Sequence, residues 1–294
     1  MAKIFIMFSR FSAFYSPLIA TAAGGFLAAE GLEAEFSQQT AARQLTDALK
    51  DGSVQLGQSA VSRSFALLLK GETPPFAHFA TVNQRDGFFL TARQADPAFA
   101  WNKLAGRRVI VDHGGQPMAM FKYVARRAGV DPAAVVLVDK GDTEAMEKAF
   151  RTGEADFVHL QGPAPQQLED DKVGHIVGQV GLQFGPVAFS SLAANRTWLA
   201  SDMAKAFMRA YRKARAFVAS APAEEIAGKE QGYFPGIGRA ALTRCIAAYQ
   251  KLGNWQGPVE IERAQFDLAV EVFREAGLLA GKPAFEGAVA PPPG

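Results

Sequence analysis

The 294 residues carry 31 Lys and Arg against 29 Asp and Glu, a net charge of +2. That is too near neutral for the basic face that nucleic-acid binding requires. With 49% hydrophobic and 20% charged residues the chain is globular, and its length favours two domains over one core. The single cysteine, Cys245, excludes an intramolecular disulfide and an all-cysteine metal site. In ALTRCIAAYQ it reads as a small buried hydrophobe.

At the N-terminus, Lys3, Arg10, the apolar run 11–20 and ATAA at 20–23 mimic a secretion signal. Cleavage there would remove a strand at 3–8 (KIFIMF), so the signal reading is rejected. No run is long and apolar enough to predict a membrane span.

The strand at 3–8 leads to a helix capped by Ser16, with Pro17 in its first turn and Gly31 at its end. A strand at 32–36, a helix at 40–50 and a strand at 53–58 follow. A helix at 62–70 and one long extended stretch, 76–92, come next, broken by polar residues at 83–87. From 107 the same order starts again: strand 107–112, a helix from Pro117, strand 135–138, helix 143–151 and strand 155–160. The turns LKDGSVQLG (49–57) and FRTGEADFV (150–158) match in kind. A short helix at 163–169 and strands at 174–180 and 186–191 follow, then helices at 222–230, 239–252 and 262–277. Ahead of these, MAKAFMRAYRKARAFV has apolar residues at helical spacing and a basic solvated face. The tail 284–294, ending in PPPG, is expected to be disordered.

Two repeated β/α units predict an α/β protein of two lobes, each a mainly parallel sheet flanked by helices, with a ligand cleft between them. The chain crosses between lobes near 84–92 and 180–190. One lobe is therefore discontinuous, 1–88 plus 188–294, and the other is the insertion 89–187. Such lobes can close on a hinge around a ligand.

Ligands gather beyond the carboxyl ends of strands in open sheets, which selects the loops 9–16, 58–64, 112–117 and 160–163. Ser9 and Arg10 precede Phe11 and Tyr15, aromatics suited to a flat ring or to the core. Ser59 and Ser62 could cap a helix or bind, and Arg63 could clamp an anion. Gly114 and Gly115 open a helix whose N-terminus favours an anion, with His113 beside them. Gln161 adds a hydrogen-bonding group and Ser190 completes the set. Neither a phosphate-loop spacing nor a paired metal spacing of the four histidines occurs, so no catalytic residue, metal or cofactor is expected.

The segments PLIATAAGGFLAAEGLEAEF (17–36), LKDGSVQLG (49–57), LAGRRVIVDHGG (104–115) and AFRTGEADFV (149–158) carry a resemblance. The chain resembles the solute-binding proteins of ABC importers for aliphatic sulfonates, taurine, nitrate and thiamine-pyrimidine precursors. The resemblance implies a type II periplasmic-binding-protein fold, a monomer outside the cytoplasm, a small anionic or heteroaromatic ligand and ABC permease subunits as partners. One branch of that family is a thiamine-pyrimidine synthase. Its lysine falls on Ser59, its histidine on Arg63 and its cysteine-rich stretch on 182–191, which has no cysteine. Gln55 stands where the family commonly has Asp. A cytoplasmic biosynthetic enzyme on the same scaffold is the alternative expectation, and a ligand-sensing module a third.

Overall fold

The computed structural model describes residues 1–294. Its strands are β1 (Ala2–Phe8), β2 (Leu32–Gln38), β3 (Leu56–Ser59), β4 (Phe76–Asn83), β5 (Phe88–Ala92), β6 (Arg108–Ile110), β7 (Val136–Val138), β8 (Phe157–Gln161), β9 (His175–Gln179) and β10 (Ser190–Asn195). The helices are α1 (Ser16–Ala23), α2 (Leu45–Asp51), α3 (Phe65–Leu69), α4 (Gly115–Arg127), α5 (Thr143–Arg151) and α6 (Ala164–Asp170). The C-terminal segment adds α7 (Asp202–Ser220), α8 (Ala223–Glu230), α9 (Arg239–Leu252), α10 (Arg263–Glu275) and α11 (Phe285–Ala288).

One sheet has the order β2-β1-β3-β10-β4 and the other β7-β6-β8-β5-β9. In each, the first three strands run parallel and the fourth is antiparallel to both its neighbours. The reversed strands, β5 and β10, are the two that follow the crossings between sheets. A chain arriving from the other lobe enters its new sheet from the opposite end, so these strands oppose the rest. The stretch 76–92, expected as one strand, is therefore two strands in different sheets. The break falls at 84–87, where the buried Asp86 accepts the Phe88 amide at 2.7 Å.

Local signals set several boundaries. Asp142 accepts from the Ala145 amide at 2.9 Å and Ser201 from the Ala204 amide at 3.2 Å, starting α5 and α7. Gly52 and Gly253, both left-handed, end α2 and α9. The first helix departs from expectation. Ser12, not Ser16, caps a 3-10 turn at Ala13–Tyr15 that leads into α1, and α1 stops at Gly24, with a separate 3-10 turn ending at Gly31. Gln55 has a structural task, since its Oε1 accepts the Phe5 amide at 2.8 Å.

The C-terminal helices touch both lobes. Tyr211 of α7 donates to the Thr81 carbonyl at 2.8 Å in the first sheet. Arg244 of α9 reaches Asp170 at 2.5 Å, and Glu271 of α10 takes bonds from Tyr123 and Arg127 at 3.1 Å each. The tail expected to be disordered instead forms α11. Val289 then bridges to His78 of β4, and Arg196 donates to the Gly287 carbonyl at 2.6 Å. Apolar contact decides this: Ala288 is fully buried and Phe285 stacks edge-on against Phe266 at 5.3 Å. Removing residues 285–294 should therefore lower stability by about 2 kcal/mol, the worth of one buried large apolar side chain. Thermal unfolding checks this, and an unchanged melting temperature would mean the tail does not pack.

Beneath α1 lies a fully buried carboxyl, Glu230, which accepts from Ser16 Oγ at 2.7 Å and has a second oxygen without a partner. Burial pushes its pKa up from 4.5 to about 8, opposed only by the Ser16 hydrogen bond. Between those two values the folded chain holds a proton that the unfolded chain has released, so stability falls as pH rises through that window. His78 and His159, whose pKa values burial lowers to about 3, work in the opposite direction below pH 6.5. Glu230→Gln should thus gain melting temperature over the parent as pH rises from 6.5 to 8. Parallel melting curves for the two proteins would contradict the assignment.

Candidate functional site

The carboxyl ends of β1, β3, β6 and β8 converge on a cavity of about 390 Å³ between the two sheets. Ser9, Arg10, Tyr15, Ser59, Ser62, Arg63, Gly114, Gly115, Gln161 and Ser190 all line it. Phe11 and His113 do not. Phe11 turns away and packs on Phe8 at 4.8 Å and Tyr233 at 6.0 Å. The His113 Nδ1 lies 2.7 Å from the Val111 carbonyl.

Bonds across the cleft tie the lobes together. Arg10, just beyond β1, pairs with Asp112 beyond β6. Ser62 donates to Gln116 Oε1 at 3.0 Å, and Gln116 Nε2 donates to the Phe189 carbonyl at 2.7 Å. Ser12 Oγ donates to the Gly162 carbonyl at 2.6 Å. Tyr249 accepts the Gly162 amide at 2.8 Å and donates to the Gly87 carbonyl at 2.9 Å.

The wall carries two charges, both positive. Burial pulls the Arg10 guanidinium toward its neutral form, and Asp112 more than reverses this, leaving its pKa raised. Arg63 has no such partner: it donates only to the neutral Gln39 Oε1, at 3.1 Å, and burial lowers its pKa. Tyr15, buried and bonded to Gln161 at 3.4 Å, has its pKa raised by burial.

Two wall groups stand unsatisfied. Ser59 Oγ and Gln161 Oε1, on residues 2% and 5% exposed, have no hydrogen-bond partner. A buried polar group left unpaired costs about 1–3 kcal/mol, and both oxygens are themselves buried, behind the cavity surface. The first-turn amides of α4, which have no acceptor within the helix, open on the same space.

The sequence did not flag Gln39, Phe189 or Phe273, and it selected the loops holding Gln58, Gln116 and Pro117 without naming these as contacts; together they complete much of the wall. Gln58 and Gln116 adjoin flagged residues: Gln58 orients Ser9 through its Oε1 at 3.2 Å from the Ser9 amide. Gln39 follows β2, a strand end passed over. Phe273 arrives from α10, and no local pattern announces it.

A family model described as NMT1/THI5 like matches residues 13–225. YtlA of Bacillus subtilis (strain 168), named a candidate binding protein, is 26% identical over 91% of this chain and 81% of its own. Among solved structures, the ligand-binding component of an ABC-type import system from Staphylococcus aureus superposes with a TM-score of 0.78 at 14% identity. It covers 99% of this chain and 97% of that one. The alkanesulfonate-binding protein SsuA of Xanthomonas axonopodis pv. citri, bound to MOPS, gives 0.75 at 15% identity over 99% of both chains. The fold also carries chemistry, since the desulfurization enzyme DszB gives 0.71 at 14% identity over 99% of this chain and 97% of that one. The repeated β/α sequence, the paired mixed sheets and the family match agree, and the chain belongs to the NMT1/THI5-like family.

Proposed function

We propose that this chain is the solute-binding component of an ABC importer, which captures a small anion between its lobes and hands it to a membrane permease outside the cytoplasm. One observation carries the reading. The cavity wall holds two arginines and no Asp, Glu, Lys or His, and Arg63 has no counter-charge. A cation withdrawn from water without a partner is unfavourable, and an anionic ligand corrects the imbalance.

Arg63, Ser62 and the amides of Gly115 and Gln116 would grip that anion, with Ser9, Tyr15, Ser59, Gln161 and Ser190 shaping the remaining wall. Uncompensated positive charge favours a sulfonate-like solute over a neutral pyrimidine. The names of the structural neighbours, an import component and a sulfonate binder, support the same direction. Binding without turnover also fits the titratable groups at hand. Beyond the arginines the wall offers only Tyr15, while Cys245 is buried and its thiol is pushed far up by burial.

Calorimetric titration with methanesulfonate, taurine, nitrate and acetate tests the proposal. At least one anion should bind and raise the melting temperature, since ligands that bind only the folded state stabilise it. Arg63→Ala should weaken that anion about 10- to 100-fold, the loss of a charge-assisted hydrogen bond. Unchanged affinity in Arg63→Ala, or turnover of the bound solute, would overturn the reading.

A further inference from the structure

We propose that the ligand is one elongated molecule, with an anionic head in the Arg63 chamber and a flat apolar body in a second chamber beyond Arg10 and Gln161. This rests on the anion-binding function proposed above and narrows its ligand to an aryl-bearing anion.

A second cavity of about 220 Å³ lies in the same cleft, and Arg10 and Gln161 line both spaces. The two chambers differ in character. Most residues lining the first are polar or glycine, whereas the second presents Phe11, Pro163, Tyr233, Phe234, Pro235 and Ile237. Its aromatic wall is organised: Phe11 stacks on Tyr233 with ring centroids 6.0 Å apart and planes 25° from parallel, and Phe234 lies 5.7 Å from Phe11. Phe11, Tyr233 and Ile237 are only partly buried, so apolar surface stays open to this space instead of being used up in the core.

Both lobes contribute to the second chamber. Gly162 and Pro163 follow β8 of one sheet, while Phe11 and Ser12 follow β1 of the other. Closure that traps a head group therefore also encloses whatever occupies this space. The sequence suggested an anion clamp and an aromatic wall without their relative placement. The structure puts them in tandem, with the aromatic wall on the far side of Arg10 from Arg63.

Matched ligands test this on the whole chain: methanesulfonate against naphthalene-2-sulfonate, and acetate against 2-naphthoate, each by calorimetry. The aryl member of the binding pair should be tighter by about tenfold or more, as burial of one ring surface predicts. Uncharged 2-naphthol should bind far more weakly than the aryl anion. Ile237→Trp, which fills the second chamber, and Phe11→Leu, which removes a ring while keeping bulk in the core, should each narrow the aryl preference. Equal affinities within a pair would overturn the elongated ligand and leave anion binding standing. Binding of 2-naphthol as tight as the aryl anion would sever the body from the head and also overturn the proposal. Failure of every anion would remove the proposed function and this inference together.

Discussion

Arg10 is committed to Asp112 across the cleft, and much of the site follows from that commitment. A guanidinium partly drawn out of water needs a partner, and the nearly buried Asp112 supplies it. Asp112 in turn accepts the Gly114 amide at 2.8 Å, which fixes the loop that starts α4. One pair thus joins the two lobes, positions a helix N-terminus over the cavity and divides the cleft into two chambers. It also neutralises Arg10, which leaves Arg63 as the cation that a ligand can satisfy.

The same logic of satisfied backbone governs the crossings. Arg85 donates to the Gly181 and Phe184 carbonyls at 3.3 and 2.9 Å, tying the first crossing to the second. Gln84 donates to the Gln256 carbonyl at 2.6 Å, and Trp255 Nε1 to Asn83 Oδ1 at 2.9 Å. The segment after α9 therefore braces the first crossing. Because α9 and α10 also reach the second lobe, the lobes are joined by a C-terminal clasp as well as by the two crossings. Ion pairs such as Arg244–Asp170 lie at the surface and are worth little individually.

Local sequence carried the regular parts of this fold well. The ranges 143–151 and 239–252 coincide with α5 and α9, since Asp142 and the left-handed Gly253 mark their ends with local chemistry. Pairing across distance was harder to read. Nothing near Phe76 or Ser190 says that β4 and β10 join one sheet, with β10 reversed, and nothing in PPPG says that α11 docks beside β4. The site divided in the same way. Strand-end loops pointed to Ser59, Arg63 and Gln161, while Phe273 came from a helix about 135 residues beyond α4. Phe11 was read as a ligand contact or a core residue, and side-chain direction at a loop is set by packing. Its neighbours Phe8 and Tyr233 turn it into the second chamber.

The most direct test of this account is a crystal structure of the chain with 4-bromobenzenesulfonate, in which the sulfonate and the bromine are located separately. The account predicts sulfonate oxygens at hydrogen-bond distance, about 3 Å, from the Arg63 guanidinium and the Gly115 amide, with the anomalous bromine peak beyond Arg10 near Phe11. A sulfonate bound away from Arg63, with the cavity between the sheets left to solvent, would contradict it.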